Sequence, residues 1–325
     1  MSLKEAAAFI RERASFFIVC HVSPDEDTLG SGLALREALL QLGKRVRIAC
    51  EDSVPGSCRC LPGHENVLYL GEEPVEAEAV IYVDTAAIDR AGRYSAFAER
   101  AAGSLCIDHH RTNPALEGQG FAEVNYVEDC AASGELVVLL LEELGVQLTP
   151  VIGKLLYAAI STDTGNFAYS ATTARTFAVM ARVMESGFDL PEANRELFRS
   201  ISLKKTRLQS LALYNAEILY GGRAALSTVS MADMATCDAT SEDGDGIVDA
   251  LRDIDTVEVA CYLREEQDRI KASLRSKSSA DVALLAKKYA GGGHAKAAGC
   301  TLHMPLQDAA DLMRGELLVL LTEKV

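Results

Sequence analysis

The chain has 325 residues, 49% of them hydrophobic, enough to bury the core of one large domain or of two ordinary ones. Its net charge of −15 argues against a basic face that coats long nucleic acid, and no apolar run approaches the roughly 20 residues of a membrane-spanning helix. Nine cysteines, odd in number and several inside apolar runs (Cys20, Cys50, Cys106, Cys261), read as small buried hydrophobes and not as a disulfide framework.

The opening stretch MSLKEAAAFIRERASFF is charged and amphipathic without a secretory core, and is expected to be the first helix of a cytoplasmic protein. Phe16–Cys20 then reads as a strand, and Thr28–Leu42 as a helix closed by Gly43. Val46–Cys50, Ala79–Val83 and Leu105–Ile107 read as further strands; Ser133–Leu144, Val151–Ile160 and Thr173–Ser186 read as helices. Short buried strands alternating with helices predict an α/β fold, with an N-terminal doubly wound parallel sheet carrying helices on both faces. Leu, Lys and Arg at helical spacing predict a linker helix over 189–216. Beyond it, AALSTVSMA and VEVACYLREEQDRIKASLRS have strand composition, with a polar turn at Glu265–Arg269. DVALLAKKYAGGGH predicts a helix running into a glycine-rich loop, so a smaller C-terminal α/β domain is expected over 217–325, after a first domain over 1–188.

The acidic and imidazole side chains fall where a ligand site belongs. Open parallel sheets bind ligands beyond the carboxyl ends of their strands. His21, Asp25 and Asp27 follow the first strand, Asp84 follows AVIYV, Asp108-His109-His110 follow SLCI, and Asp163 follows the helical YAAI. So many carboxylates in one crevice repel each other, and protonation or divalent cations must relieve this. Cations are the simpler answer, and a mixed imidazole–carboxylate set suits Mn²⁺, with Mg²⁺, Co²⁺ or Fe²⁺ as alternatives. Asp25, Asp27, Asp84 and Asp163 carry four negative charges, which two divalent ions neutralise. Two such ions about 3.5–4 Å apart clamp a phosphoryl group and activate water, so metal-assisted hydrolysis of a phosphate ester is the predicted chemistry. Each residue also has a plainer reading. Asp27 would serve as a helix cap, Asp84 as an ordinary loop residue, and His109 and His110 as hydrogen-bonded loop histidines. Their joint occurrence in four segments outweighs those readings. His64 and His303 are read as ordinary loop histidines, and Cys58, Cys60 and His64 fit no standard zinc spacing.

These segments resemble the DHH phosphoesterase superfamily in family order: His21-x-x-x-Asp25-x-Asp27 running into Gly30-Ser31, Val83-Asp84-Thr85, Asp108-His109-His110, and Thr162-Asp163-Thr164-Gly165. The C-terminal part resembles the DHHA1 subdomain through Gly291-Gly292-Gly293-His294, Ala297-Ala298-Gly299 and the strand Lys271–Ser276. The combination is similar to the NrnA-type oligoribonucleases, also called nanoRNase/pAp phosphatases. The resemblance implies that His21 and Asp25 hold one metal and that Asp27 and His109 hold the other. Asp84 would bridge the two, and Asp163 would complete the site. It also implies that His110 faces the scissile phosphate and that Asp108 orients a His ligand. One departure is Glu26, where the family has Gly.

The implied activity is hydrolysis of oligoribonucleotides a few residues long, pGpG-type dinucleotides included, to mononucleotides, with pAp to AMP as a further reaction. A cyclic-dinucleotide phosphodiesterase is the alternative within the superfamily, and a non-catalytic nucleotide-binding regulator the alternative outside enzymology. The DHHA1-like segment argues against a family II pyrophosphatase, and the acidic balance argues against an exonuclease of long DNA. Three consecutive glycines permit positive φ and an anion-binding concavity, although Gly291 also fits a helix C-cap. Ser273, Arg275, Gly292, Gly293 and His294 are the expected substrate-binding residues, with Arg275 gripping phosphate. A substrate cleft between domains would favour short RNA, dinucleotides or pAp over long chains. No long-DNA or membrane partner is expected; oligomeric state is open, with a homodimer among the expected partners.

Overall fold

Ser15–Cys20 (β1) is buried along its whole length. Phe16, Ile18 and Cys20 enter one apolar cluster, while Phe17 and Val19 enter a second on the opposite face. Side chains alternate across a strand, so a strand apolar at every position must be covered on both sides, as the centre of a parallel sheet is. The computed structural model describes residues 3–69, 77–97, 101–277 and 279–322. By its contacts the chain falls into two units, Met1–Ser200 and Ile201–Val325.

The first unit is built on a six-stranded sheet. Its strands are β1, Arg45–Ala49 (β2), Val67–Leu68 (β3), Ala79–Val83 (β4), Ser104–Asp108 (β5) and Val124–Val127 (β6), in the order β3-β2-β1-β4-β5-β6. Every pairing is parallel. The order reverses between β1 and β4, which makes their carboxyl ends the switch point where such sheets bind ligands. One face carries Leu3–Arg11 (α1), Glu26–Gln41 (α2), Ser133–Glu143 (α3) and Pro150–Asp163 (α4). Gly30 of α2 lies so close to α4 that a Cβ there would meet the Leu155 carbonyl oxygen at 2.7 Å. Ala174–Met184 (α5) packs outside α3 and α4. The opposite face is covered by the 3₁₀ segment Ile88–Ala96, whose Ala91 and Tyr94 pack on Phe17 and Tyr82.

The expected strands and helices are present, with shifted ends. α2 starts at Glu26 because Asp25 caps it, accepting from the amides of Asp27 and Thr28. α4 runs on to Asp163, which puts that carboxylate on the helix's last turn. The short β3 and β6 lacked a readable apolar run. The stretch 189–216 is helical in pieces: Leu190–Asn194 (α6), a π-turn over Arg195–Arg199, and Leu203–Tyr214 (α7), capped by the Ser202 hydroxyl.

The second unit has a mixed six-stranded sheet. Its strands are Glu217–Leu219 (β7), Ala224–Val229 (β8), Val259–Glu265 (β9), Ile270–Ser276 (β10), Gly292–His294 (β11) and Ala297–Leu302 (β12), ordered β11-β12-β10-β9-β8-β7. Only β8 and β9 pair in parallel. After β8, a Ser230–Asp233 capping box starts Met231–Thr236 (α8). Ile247–Asp253 (α9) joins α7 on one face; Val282–Lys288 (α10) and Leu306–Thr322 (α11) cover the other. The expected glycine-rich loop is instead β11, an edge strand that returns into β12 through Ala295 and Lys296. Gly293 sits there at φ +134°, where a Cβ would meet the Ala297 carbonyl oxygen at 2.5 Å. All nine cysteines are free thiols. Among the described residues, no helix is long and apolar enough to cross a membrane.

Candidate metal centre

His21 leaves β1 with its ring buried. Its Nδ1 lies 2.8 Å from the Val22 carbonyl oxygen, which can only accept, so the proton sits on Nδ1 and the Nε2 lone pair is free. Arg90 Nη2 approaches the same nitrogen at 3.1 Å, but Nδ1 can serve one partner, and the nearer carbonyl takes it. The free Nε2 lies 3.3 Å from Asp84 Oδ2 and 3.7 Å from Asp25 Oδ1. His109, just after β5, repeats the arrangement. Its Nδ1 donates to the Cys130 carbonyl at 3.1 Å. Its Nε2 lies 3.4 Å from both Asp84 Oδ1 and Asp163 Oδ2, and 3.8 Å from Asp27 Oδ2. A backbone carbonyl behind each imidazole is the support that orients metal-ligating histidines.

Three sets of potential ligand atoms result, each with all its atoms within 4.8 Å of one another: His21–Asp25–Asp84, Asp27–His109–Asp163, and Asp84–His109–His110. The fold thus brings all six expected metal ligands together, and Asp84 belongs to two of the sets. Asp84 reaches its position through a left-handed backbone, φ +57°, which costs a non-glycine residue on the order of 1–3 kcal/mol. Its amide donates to the Ile107 carbonyl at 2.8 Å, and its Oδ1 accepts from Ser133 Oγ at 2.9 Å. Asp27 is not the helix cap; Asp25 is. Asp27 instead accepts from the Ser133 and Gly134 amides at 2.7 and 3.0 Å, at the N-terminus of α3, and from Ser31 Oγ at 3.0 Å.

The electrostatics fit a cation site. Burial pushes the Asp27 carboxyl well up, and the charges of Asp84 and Asp163 add to it. Burial likewise raises Asp163 to about 6, against the pull of His109. Asp84 is also pushed up by burial, but its contact with His21 Nε2 and the charges of His109 and His110 hold it down at about 2. The cluster holds more negative charge than its imidazoles offset, and two oriented imidazole nitrogens face it. That donor set suits divalent ions of the Mn²⁺, Mg²⁺ or Co²⁺ kind.

His110 stands apart from His109. Its Nδ1 donates to Asp108 Oδ1 at 2.7 Å, and this bond, against the cost of burial, lifts the imidazole to about 9. Asp108 therefore holds His110, whereas His109, the histidine expected as a ligand, turns its Nδ1 to Cys130. Asp108 is itself fully buried and accepts from Asn113 Nδ2 at 2.7 Å. Sequence reasoning missed Asn113 and Arg90. Asn113 falls five residues after Asp108, and Arg90 lies in a 3₁₀ segment that no periodicity announces. The cysteines near His64 form no candidate ligand set among the described residues; His64 Nδ1 donates to the Leu61 carbonyl.

In the second unit, Lys271, Ser273 and Arg275 share the half-exposed face of β10. A cavity of about 340 Å³ there is lined by Arg264, Lys271, Ser273, Tyr262, Gly291 and Thr301, among others. Of the expected substrate residues, Ser273 borders it. Arg275 is paired with Asp249, Nε to Oδ1 at 3.0 Å. Gly292, Gly293 and His294 lie exposed on the edge strand. Lys271, its Nζ donating to Thr301 Oγ1 at 3.0 Å, and Arg264 are the cations at the cavity.

Residues 15–160 match the DHH family, N-terminal domain, and residues 228–317 match the DHHA1 domain. The chain is 32% identical to the bifunctional oligoribonuclease and PAP phosphatase NrnA of Thermus thermophilus, over 88% of this chain and 83% of that protein. The chain belongs to the DHH phosphoesterase family. The NrnA protein of Bacillus subtilis, of the same description, is 28% identical to this DHH chain over 93% of both. The crystal structure of an exopolyphosphatase-related protein from Bacteroides fragilis superposes with a TM-score of 0.90 at 24% identity, covering 99% of this chain and 97% of that one, so the fold is shared throughout.

Proposed function

We propose that this DHH phosphoesterase is a divalent-metal-dependent hydrolase that converts short oligoribonucleotides, pGpG-type dinucleotides included, to mononucleotides and also dephosphorylates pAp. The observation that carries the reading is the position of Asp84 between two imidazoles, Oδ2 3.3 Å from His21 Nε2 and Oδ1 3.4 Å from His109 Nε2, with Asp25 beside the first and Asp27 and Asp163 beside the second. The substrates are inferred from the NrnA relatives, whose names describe oligoribonuclease and PAP phosphatase activity. We assign the six residues as ligands of two ions, with Mn²⁺ the expected metal. Bound divalent ions supply Lewis acidity toward the phosphoryl group and lower the pKa of the attacking water.

The chain's own groups then have separate tasks. His21 and His109 present Nε2 because backbone carbonyls hold their Nδ1 protons. His110, its Nδ1 held by Asp108, turns Nε2–H to the scissile phosphate, where it offsets charge and can protonate the leaving oxygen. Arg90 adds a cation beside His21, where the neutralised cluster lacks one. Catalysis is assigned to residues 1–188, and recognition of the nucleotide to residues 217–325, through Ser273, Lys271 and Arg264 at the β10 cavity. Incubating the metal-stripped protein with Mn²⁺ and a panel of labelled dinucleotides, pAp, cyclic dinucleotides and a long single-stranded RNA tests the proposal. Consumption of linear dinucleotides and pAp, abolished by chelation, is expected. Hydrolysis that persists without divalent metal, or that is confined to the long RNA, overturns it.

A further inference from the structure

Arg175 lies outside the phosphoesterase motifs, in the first turn of α5. A cation at a helix N-terminus opposes the helix dipole and costs about 0.3–1 kcal/mol, so its placement needs an offsetting partner. Two are present. Arg175 Nη1 donates to Glu128 Oε2 at 2.7 Å, and Nε lies 3.4 Å from Glu135 Oε2. Glu135 is 1% exposed, and a carboxylate buried so deeply requires a cation opposite it. Glu128 immediately follows β6, and Glu135 lies in the first turn of α3. The guanidinium therefore ties together the two ends of the segment 128–135.

That segment supplies much of the support of the candidate metal centre. Cys130 accepts the Nδ1 proton of His109 through its carbonyl. The Ser133 hydroxyl donates to Asp84, and the Ser133 and Gly134 amides donate to Asp27. We infer that Arg175 is a positioning residue of the metal centre: by bracing Glu128 against Glu135 it fixes the loop that sets the His109 tautomer and holds Asp27 and Asp84. The inference rests on the proposed reading of those residues as metal ligands. It explains why an arginine stands there. Nη1 hydrogen-bonds Glu128 while Nε faces Glu135 as an ion pair, two directions fixed by one planar group, whereas a lysine ammonium rides on a flexible stem.

The test titrates metal-stripped protein with Mn²⁺ by calorimetry, in the parent and in Arg175→Met, Arg175→Lys and Arg182→Met. Arg182 lies on the same helix, and its ion pair with Glu142 does not touch the loop. Supporting residues behind metal ligands are worth about 10- to 100-fold in affinity. Arg175→Met is expected to weaken Mn²⁺ binding by about that factor, Arg175→Lys to weaken it less but measurably, and Arg182→Met to match the parent. At saturating Mn²⁺ the turnover of Arg175→Lys returns to near the parent value. A role confined to stability would lower the melting temperature of Arg175→Lys and leave its Mn²⁺ affinity unchanged, which overturns the proposal even if Arg175→Met fails to fold. If the parent binds no Mn²⁺, the metal-site reading fails and this inference with it. If the parent binds Mn²⁺ and both Arg175 variants bind it equally well, this inference alone fails.

Discussion

Replacing Asp84 with Asn probes the shared ligand most directly. The amide keeps the side chain's size, and its Oδ1 can still accept from Ser133 Oγ, 2.9 Å away in the parent. What disappears is one negative charge belonging to two of the donor sets. Four carboxylates balance two divalent ions; three leave one positive charge uncompensated. Loss of a group behind a metal ligand costs about 10- to 100-fold in affinity, and loss of a coordinating charge costs no less. If Asp84 serves both ions, as proposed, that floor applies to each, giving about 100- to 10,000-fold for the pair. Calorimetric titration with Mn²⁺ should lose at least one high-affinity site. Hydrolysis of a labelled dinucleotide should fall correspondingly at limiting Mn²⁺ and recover only in part at high Mn²⁺. A variant that binds two ions with parental affinity and turns over at the parental rate would refute the shared-ligand reasoning.

Other outcomes follow from single contacts. Asn113→Ala strips the buried Asp108 of a donor at 2.7 Å; hydrogen bonds to charged groups are worth about 1.5–3 kcal/mol, and urea unfolding should show that loss. The folded Asp163 carboxyl is raised from 3.8 to about 6, so the native state holds a proton that the unfolded chain has released. Metal-free stability should therefore fall as pH rises through that window, and Asp163→Asn should flatten the fall in thermal melts. Lys271→Met removes a cation from the β10 cavity and should raise KM about 10-fold with little change in kcat; a change in kcat alone would place Lys271 elsewhere in the mechanism. Binding of a short substrate should show a log–log salt slope of roughly 2, for two or three phosphates, and a much steeper slope would indicate an extended nucleic-acid track.

The chain by itself announced the catalytic side of this protein, because the signals are local. FFIVC, AVIYV and SLCI are apolar throughout, so each must be a strand covered on both faces, and the acidic or imidazole residues after each one must emerge at one sheet edge. That argument located five of the six candidate ligands, and the sixth, Asp163, follows a helix and not a strand. The sequence offered Asp27 as the cap of α2, whereas the side chain that accepts from the helix's first amides is Asp25. It could not pair Asp108 with His110, or foresee that Asp84 turns through positive φ to face three imidazoles. The second unit was less legible because glycine tolerates many backbone conformations: the run at 291–293 fits a cap, a loop or a strand, and only pairing with β12 chose the strand. The remaining decisions are long-range. The amides that hold Asp27 lie 106 and 107 residues away, and Arg175 reaches Glu128 across 47. The sequence alone determined which side chains could serve as ligands, because strand burial and strand ends are local properties. The tertiary structure decided which groups orient and charge those ligands, because such contacts exist only once distant segments pack.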